Sequence, residues 1–202
     1  EGVKRAAEKL GPRAEAAAMH VKGLEMAADG VHASHSMSIV HATSARGADH
    51  LRPYSSAIDA LGYRNEELGI ADPIDPLEDG NKAWVKPLQE LSMACNLMGV
   101  CLFNVITLSI QPSTWAGLMS AALGREVTRE ELLKWGERVI NLERLVNARL
   151  GFDRKDDVLP ARFVEDTVED GKGAGTIIGL NEVLDSYYES MGWEKETGLP
   201  SQ

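Results

Sequence analysis

Apolar residues recur every three or four positions along most of the chain, which is the spacing of helices with one buried face. The clearest case lies between Thr128 and Gly151. Its predicted core stripe is Leu132, Trp135, Val139, Leu142, Leu145, Val146 and Leu150. A capping-box pattern precedes this stripe, because Thr128 is followed three residues later by Glu131. The pattern therefore predicts a helix that begins at Thr128 and ends near Gly151.

The same period predicts several other helices, separated by Gly and Pro. They cover residues 3–10, 14–19, 81–103, 112–124 and 181–191. We expect Asn81 to cap the helix over 81–103, whose stripe from Trp84 to Met98 should pack against the stripe from Leu132 to Val146. The prediction is an all-α fold of about seven helices. Residues 69–80 hold two prolines and several acids and predict a loop, which we take as the boundary between domains at 1–75 and 76–202.

Composition indicates a globular chain that binds neither nucleic acid nor a membrane. Of its 202 residues 44% are hydrophobic and 26% are charged, and the formal net charge is −10. Nucleic acids and anionic membranes are polyanions, so this charge disfavours both as partners. The longest apolar stretch, residues 98–110, is interrupted by polar residues and is shorter than the ~20 residues that a spanning helix needs. The first residues do not resemble a signal peptide, so we expect a cytoplasmic location.

The two cysteines, Cys95 and Cys101, are too few for a fold held by disulfides, and we expect them not to pair. Cys101 closes a segment in which Gly99 stands two residues before the thiol. Two interpretations stay open: a small core residue, or a metal ligand with Gly99 allowing a bulky group to approach. A 4Fe-4S cluster needs about four thiolates, so the second interpretation requires ligands from outside these residues.

Four of the five histidines lie in a stretch of small and polar residues between positions 29 and 54. His50 stands between Asp49 and Arg52, and its imidazole could act as a general acid or base or simply face solvent. At helical spacing His32, His35 and His41 do not converge, so we do not expect them to form a zinc site. The sequence holds no P-loop, nucleophile-elbow or zinc-protease motif.

Six segments, in the same order, resemble the C-terminal part of the aldehyde ferredoxin oxidoreductase family, the tungstopterin iron-sulfur enzymes. They are residues 21–25, 42–52, 96–103, 136–147, 156–160 and 187–193. The resemblance spans nearly the whole chain and implies the helical C-terminal domains of that family. The cluster-binding C-x-x-C-x-x-x-C run of the family does not occur in this sequence.

The resemblance also implies roles for individual residues. Cys101 corresponds to the fourth cluster ligand, and Asn96, Gly99 and Val100 lie in the element that hydrogen-bonds one pterin. Asn96 stands where the family usually has Asp, so an acceptor remains but the negative charge is lost. His50 corresponds to a histidine near tungsten that exchanges a proton during turnover.

Arg52 corresponds to a basic residue that contacts the cofactor, and its guanidinium can hold a phosphate through two donors. On the resemblance, the whole protein oxidises an aldehyde to a carboxylic acid in an anaerobic prokaryotic cytoplasm. Electrons leave through a 4Fe-4S cluster to ferredoxin, and a homodimer is one possible assembly. We expect this chain, without further polypeptide, to bind neither cofactor and to be inactive.

Two alternatives stay open. The first is a member of the same family that reduces an aromatic thioester such as benzoyl-coenzyme A. The second is a helical scaffold domain that has no cofactor of its own. The residues named above do not separate the first alternative from aldehyde oxidation, whereas Asn96 and the missing cluster cysteines favour the second for this chain by itself. We expect a surface around His50 and Cys101 to be exposed.

Overall fold

The computed structural model describes residues 2–28, 30–106 and 110–201, and over these ranges the chain is mostly helical. The helices are α1 (Gly2–Leu10), α2 (Pro12–Ala17), α3 (Ser36–Thr43), α4 (Ser56–Asp59), α5 (Val85–Leu97), α6 (Phe103–Ile106), α7 (Pro112–Leu123), α8 (Arg129–Arg149), α9 (Ala161–Glu165) and α10 (Leu180–Met191). The all-α fold class is confirmed. Six of the described helices have eight or more residues, close to the predicted seven, and α2, α4, α6 and α9 have only four to six residues each.

Two short antiparallel strands, β1 (His20–Val21) and β2 (Leu24–Glu25), form a hairpin. Its turn places Lys22 and Gly23 at positive φ, which explains why the helical pattern breaks at Gly23. Three 3₁₀ turns occupy Val31–Ala33, Glu66–Leu68 and Arg154–Asp156. Residues 71–84 contain no helix or strand, which confirms the predicted loop over most of its length.

Helix α5 is shorter than predicted at both ends. It begins at Val85, with Trp84 at the N-cap position and no side-chain cap, so the predicted cap at Asn81 is wrong. The backbone N–H of Asn81 donates to the Glu78 carboxylate at 2.7 Å. It ends at Leu97 because Gly99 adopts a φ of +69°, which interrupts the helix. Cys101 therefore lies outside α5, and Phe103 begins the separate helix α6.

The start of α8 matches the prediction, although only half of the capping box forms. The Thr128 hydroxyl accepts the Glu131 amide at 3.1 Å. The Glu131 carboxylate does not return to the cap, because it binds the Arg125 guanidinium at 2.7 Å. A side-chain N-cap of this kind contributes about 1 kcal/mol to helix stability.

Helices α5 and α8 make the most extensive contact between any two elements of the described chain, as the two stripes predicted. A Cβ at Gly136 would lie 1.9 Å from the Glu90 carbonyl oxygen, so only glycine permits this approach of the two backbones. The buried face of α8 is Leu132, Gly136, Ile140 and Arg144.

The second half of the predicted α8 stripe is wrong. Leu142 is 63% exposed, and Leu145, Val146 and Leu150 are also exposed. Arg144 takes the inward position instead, because its guanidinium finds buried partners there. Apolar periodicity cannot distinguish a core face from a face that another surface covers.

Two hydrophobic cores hold the chain together. The first lies among α3, α8 and α10 and includes Met37, Val40, Ile140, Leu184 and Tyr188. The second lies among α4, α5, α7 and α8 and includes Ile58, Leu91, Cys95, Trp115 and Leu132. Each core combines residues from both sides of position 75, and the division into domains at that position stays a prediction. The predicted burial on α10 is confirmed for Leu184, Tyr187, Tyr188 and Met191.

A buried charge cluster, formed by Lys22, Arg144, Asp157 and Tyr188, links the hairpin to α8 and α10. Lys22 Nζ lies 2.8 Å from Asp157 Oδ1, and Arg144 Nη2 lies 2.7 Å from Asp157 Oδ2. The Tyr188 hydroxyl donates to the same carboxylate. The side chain of Asp157 is fully buried, so its charge is compensated entirely by protein groups.

Within the described ranges, no helix combines the length and the apolar character that crossing a lipid bilayer requires.

Candidate functional site

The loop that carries His50 lies directly against the hairpin. It follows α3, all of whose residues are buried. Gly47 has a φ of +106°, and a Cβ there would lie 2.6 Å from the Val21 carbonyl oxygen. The Ala48 amide donates to that oxygen at 3.3 Å. The hairpin and α3 therefore leave the middle of this loop little freedom.

Asp49 organises the loop from within. Its carboxylate accepts Arg46 Nε at 2.6 Å and the Leu51 amide at 2.9 Å. Burial by itself raises the pKa of the Asp49 carboxyl, but the hydrogen bonds from Arg46 and Leu51 outweigh burial and lower the pKa overall. Asp49 is therefore a charged anchor beside His50.

His50 is half-buried and lines a groove of about 380 Å³. Its ring lies edge-on to Tyr54, with 6.3 Å between the ring centroids. The other lining residues are Ala27, Ala28, Leu51, Phe103 and Ile106. Since α6 begins two residues after Cys101, the groove brings the His50 loop against the segment that follows the predicted metal ligand.

The residues after Cys95 turn outward at the end of α5. Asn96 is exposed, and its amide nitrogen lies 3.6 Å from the Met93 sulfur. No atom lies within 4 Å of the position of a Cβ at Gly99, so that glycine faces open space. Val100 is half-buried against the second core, whereas Cys101 is exposed. The predicted pterin and metal residues thus form an accessible rim, residues 96–103.

The two cysteines differ in whether they could bind a metal. They are unpaired, as predicted. Cys95 is fully buried, and burial raises the pKa of its thiol to about 12, so it stays protonated. Metals bind the thiolate, which makes the exposed Cys101 a suitable ligand and Cys95 an unsuitable one. A 4Fe-4S cluster fits this chain only if about three further thiolates come from other polypeptide.

Arg52 is held by two carboxylates of its own chain. Its Nη1 donates to Glu143 Oε1 at 2.8 Å, and its Nε lies 3.5 Å from Asp49 Oδ2. A guanidinium carries five N–H donors, so these contacts leave others for a ligand. The predicted cofactor contact of Arg52 stays a prediction.

The three remaining histidines of the stretch do not converge. His32 Nε2 lies 3.0 Å from the Asp166 carbonyl oxygen, and His35 Nδ1 lies 2.7 Å from Asp79 Oδ1. His41 is fully buried on α3; burial first, and then the charge of His50, lower the pKa of its imidazole to about 4. His41 is therefore a neutral neighbour of His50 that the sequence pattern did not connect with it. Across the described ranges, no three His, Cys, Asp or Glu side chains gather to hold a metal ion.

A comparison with protein families covers the whole chain. The model of the family "Aldehyde ferredoxin oxidoreductase, domains 2 & 3" matches residues 1–202. The chain therefore belongs to the aldehyde ferredoxin oxidoreductase family, and it corresponds to domains 2 and 3 of that family.

Individual relatives refine the comparison. The chain is 34% identical over 203 residues to the tungsten-containing aldehyde ferredoxin oxidoreductase of Pyrococcus furiosus, and the match covers 100% of this chain and 32% of that protein. The enzyme of the same name from Thermococcus kodakarensis is 33% identical over 185 residues, which are 91% of this chain and 29% of that protein. The chain thus spans about a third of the length of these relatives.

A solved structure shares the fold. The active-site complex BamBC of benzoyl-coenzyme A reductase, bound to 1,5-dienoyl-CoA, superposes with a TM-score of 0.65 and 18% sequence identity. The match covers 98% of this chain and 34% of the other. At this identity the likeness concerns the architecture.

Proposed function

We propose that this chain is the C-terminal part of a tungsten-dependent oxidoreductase that oxidises an aldehyde to a carboxylic acid. Electrons would leave through a 4Fe-4S cluster to ferredoxin. The observation that carries the proposal is the groove at the rim, where His50 faces the segment that begins two residues after the exposed Cys101. The curated relatives that share about a third of its residues are named for this activity.

The rim residues supply the binding groups in this proposal. Cys101 contributes one thiolate to the cluster, and the other ligands come from further polypeptide. The exposed carboxamide of Asn96 offers one acceptor and two donors to a pterin. Gly99 presents backbone without a side chain, and Val100 anchors this turn on the second core.

His50 is the proton-handling residue of the proposed site. When bound, tungstopterin supplies the two-electron oxidation and the cluster passes the electrons on singly. An imidazole is the side chain that most often serves as general acid or base, and the Tyr54 ring lies edge-on to that of His50. General acid–base catalysis of this kind contributes about 10²–10⁴-fold to a rate.

A reductase acting on an aromatic thioester is the alternative within the family. The likeness to benzoyl-coenzyme A reductase favours it only at the level of fold, at 18% identity. The 34% identity to an aldehyde enzyme makes aldehyde oxidation the better-supported proposal. A cofactor-free scaffold is the remaining alternative, and metal analysis separates it from both.

The test uses the full-length protein, purified without oxygen, with tungsten and iron measured per chain. Aldehyde oxidation is followed with a viologen dye, and benzoyl-coenzyme A reduction is assayed in parallel. We expect bound tungsten and iron together with aldehyde oxidation. His50→Ala should lower kcat by about 10²-fold at unchanged metal content. His20→Ala, on the hairpin, is the matched control and should keep its activity.

Three results would count against this function. Protein without either metal would support the scaffold, and benzoyl-coenzyme A reduction without aldehyde oxidation would support the alternative enzyme. Undiminished turnover by His50→Ala would remove His50 from the mechanism.

A further inference from the structure

Helix α8 holds both ends of the loop that carries His50. Near the start of the loop, Asn147 Nδ2 donates to the Ala45 carbonyl oxygen at 2.7 Å. At its end, Glu143 Oε1 accepts Arg52 Nη1 at 2.8 Å. Asn147 and Glu143 are four residues apart, so they lie one turn apart on the same side of α8. The two contacts enclose residues 46–51, which include His50.

The end of the loop is also fixed through its backbone. Gln89 on α5 donates from Nε2 to the Arg52 carbonyl oxygen at 3.2 Å. The Tyr187 hydroxyl on α10 donates to Gln89 Oε1, and Tyr187 is fully buried. Arg52 is therefore held at its carbonyl oxygen by α5 and at its guanidinium by α8.

Removing Glu143 would change the balance of charges around Arg52. The Arg52 guanidinium now lies between Glu143 at 2.8 Å and Asp49 at 3.5 Å. Without Glu143, only Asp49 would attract it, and Asp49 lies in the loop itself, beside His50. The contact between Arg52 and α8 would be lost, and that end of the loop would keep the Gln89 hydrogen bond to the Arg52 carbonyl oxygen and its internal partner Asp49.

We propose that Glu143 and Asn147 are positioning residues that fix His50 in the groove, although neither lines that groove. The effect of these two contacts on catalysis rests on the proposed function of His50, whereas their effect on the loop does not. Displacement of a reacting group by ~1 Å can lower a rate by ~10²-fold. Helix α8 thus contributes to the site through two polar side chains on its loop-facing side.

The test compares the full-length holoenzyme with the double variant Glu143→Ala/Asn147→Ala. Hydrogen exchange read by mass spectrometry reports the loop directly, and we expect faster exchange in peptides covering residues 45–53 but not in those covering α5. We expect kcat to fall by about 10- to 100-fold, with KM nearly constant and tungsten and iron per chain unchanged. Glu143→Gln keeps an oxygen acceptor for Arg52 and should recover most of both losses.

Glu130→Ala is the control on the same helix, because Glu130 is exposed and its carboxylate lies 2.6 Å from the neighbouring Arg129, away from the His50 loop. It should change neither exchange nor kcat. Unchanged hydrogen exchange over residues 45–53 in the double variant would overturn the positioning role of Glu143 and Asn147, whatever the activity. Full turnover by His50→Ala would instead refute the proposed role of His50, and the exchange measurement would still decide whether Glu143 and Asn147 position the loop.

Discussion

Most of α5 and the rim that follows it differ in what surrounds them. From Val85 to Cys95, the inward-facing side chains are buried against α8 and α10. In the rim, residues 96–103, Leu97 is 56% exposed and Phe103 79% exposed, and Cys101 also faces outward. Buried polar side chains of α5 such as Gln89 and Ser92 form hydrogen bonds within the chain, whereas the rim exposes apolar and polar groups. We infer that substitutions in the interior reduce stability, and that those in the rim reduce cofactor binding.

The strongest test of the interior is Asp157→Asn. The substitution leaves the buried Lys22 and Arg144 beside a neutral side chain, and breaking a buried ion pair costs about 3–5 kcal/mol. Chemical denaturation should show a loss of this size. Glu189→Gln removes an exposed ion pair with Lys195 and should change stability by less than about 1 kcal/mol. Equal effects would mean that the interior does not depend on this cluster.

A second test concerns pH and Glu90, which is buried between α5 and α8. Burial raises the pKa of Glu90 to about 7, although Lys86, 3.7 Å away, opposes this. Because the pKa of Glu90 is higher in the folded protein than in the unfolded chain, its protonation favours folding. This contribution to stability is fully present below the unfolded pKa of about 4.5 and is lost as pH rises through about 7. The stability advantage of Glu90→Gln over the parent should therefore grow between pH 5 and pH 8, by on the order of 2–3 kcal/mol. A pH-independent difference in denaturation would contradict this assignment.

The smallest expected effect compares two residues of α6. Val105 is 1% exposed and packs in the second core, so Val105→Ala should cost about 2 kcal/mol. Phe103 loses more atoms in Phe103→Ala, yet it is 79% exposed and should change stability by less than about 0.5 kcal/mol. A larger loss of stability for Phe103→Ala than for Val105→Ala in thermal unfolding would show that Phe103 is part of the packed interior.

The sequence predicted local structure better than it predicted which faces are buried. Thr128 and Gly124 mark helix ends through backbone geometry that neighbouring residues determine, and both predictions are confirmed. The inward face of α8 was partly wrong, because Gly136 and Arg144 are buried through contacts with Glu90 and Asp157, which are distant in sequence. Local periodicity holds no information about such partners.

The candidate site shows the same difference between local sequence signals and contacts that are distant in sequence. The sequence singled out His50 and Cys101, but the groove beside His50 forms only through packing of its loop against α6, the helix that follows Cys101. Glu143 and Asn147 were missed as contacts of that loop. The signal available was two polar residues, one turn apart, on a helix otherwise assigned by its apolar residues.

We propose that Cys101, and not Cys95, would be the cysteine of this chain that binds an iron-sulfur cluster in the full-length protein. Iron content of the full-length protein, measured for Cys101→Ser and Cys95→Ala after anaerobic purification, tests it most directly. We predict that Cys101→Ser loses most of its iron and that Cys95→Ala keeps it, with only a loss of stability from the core. Full iron content in Cys101→Ser, or iron loss confined to Cys95→Ala, would contradict the claim.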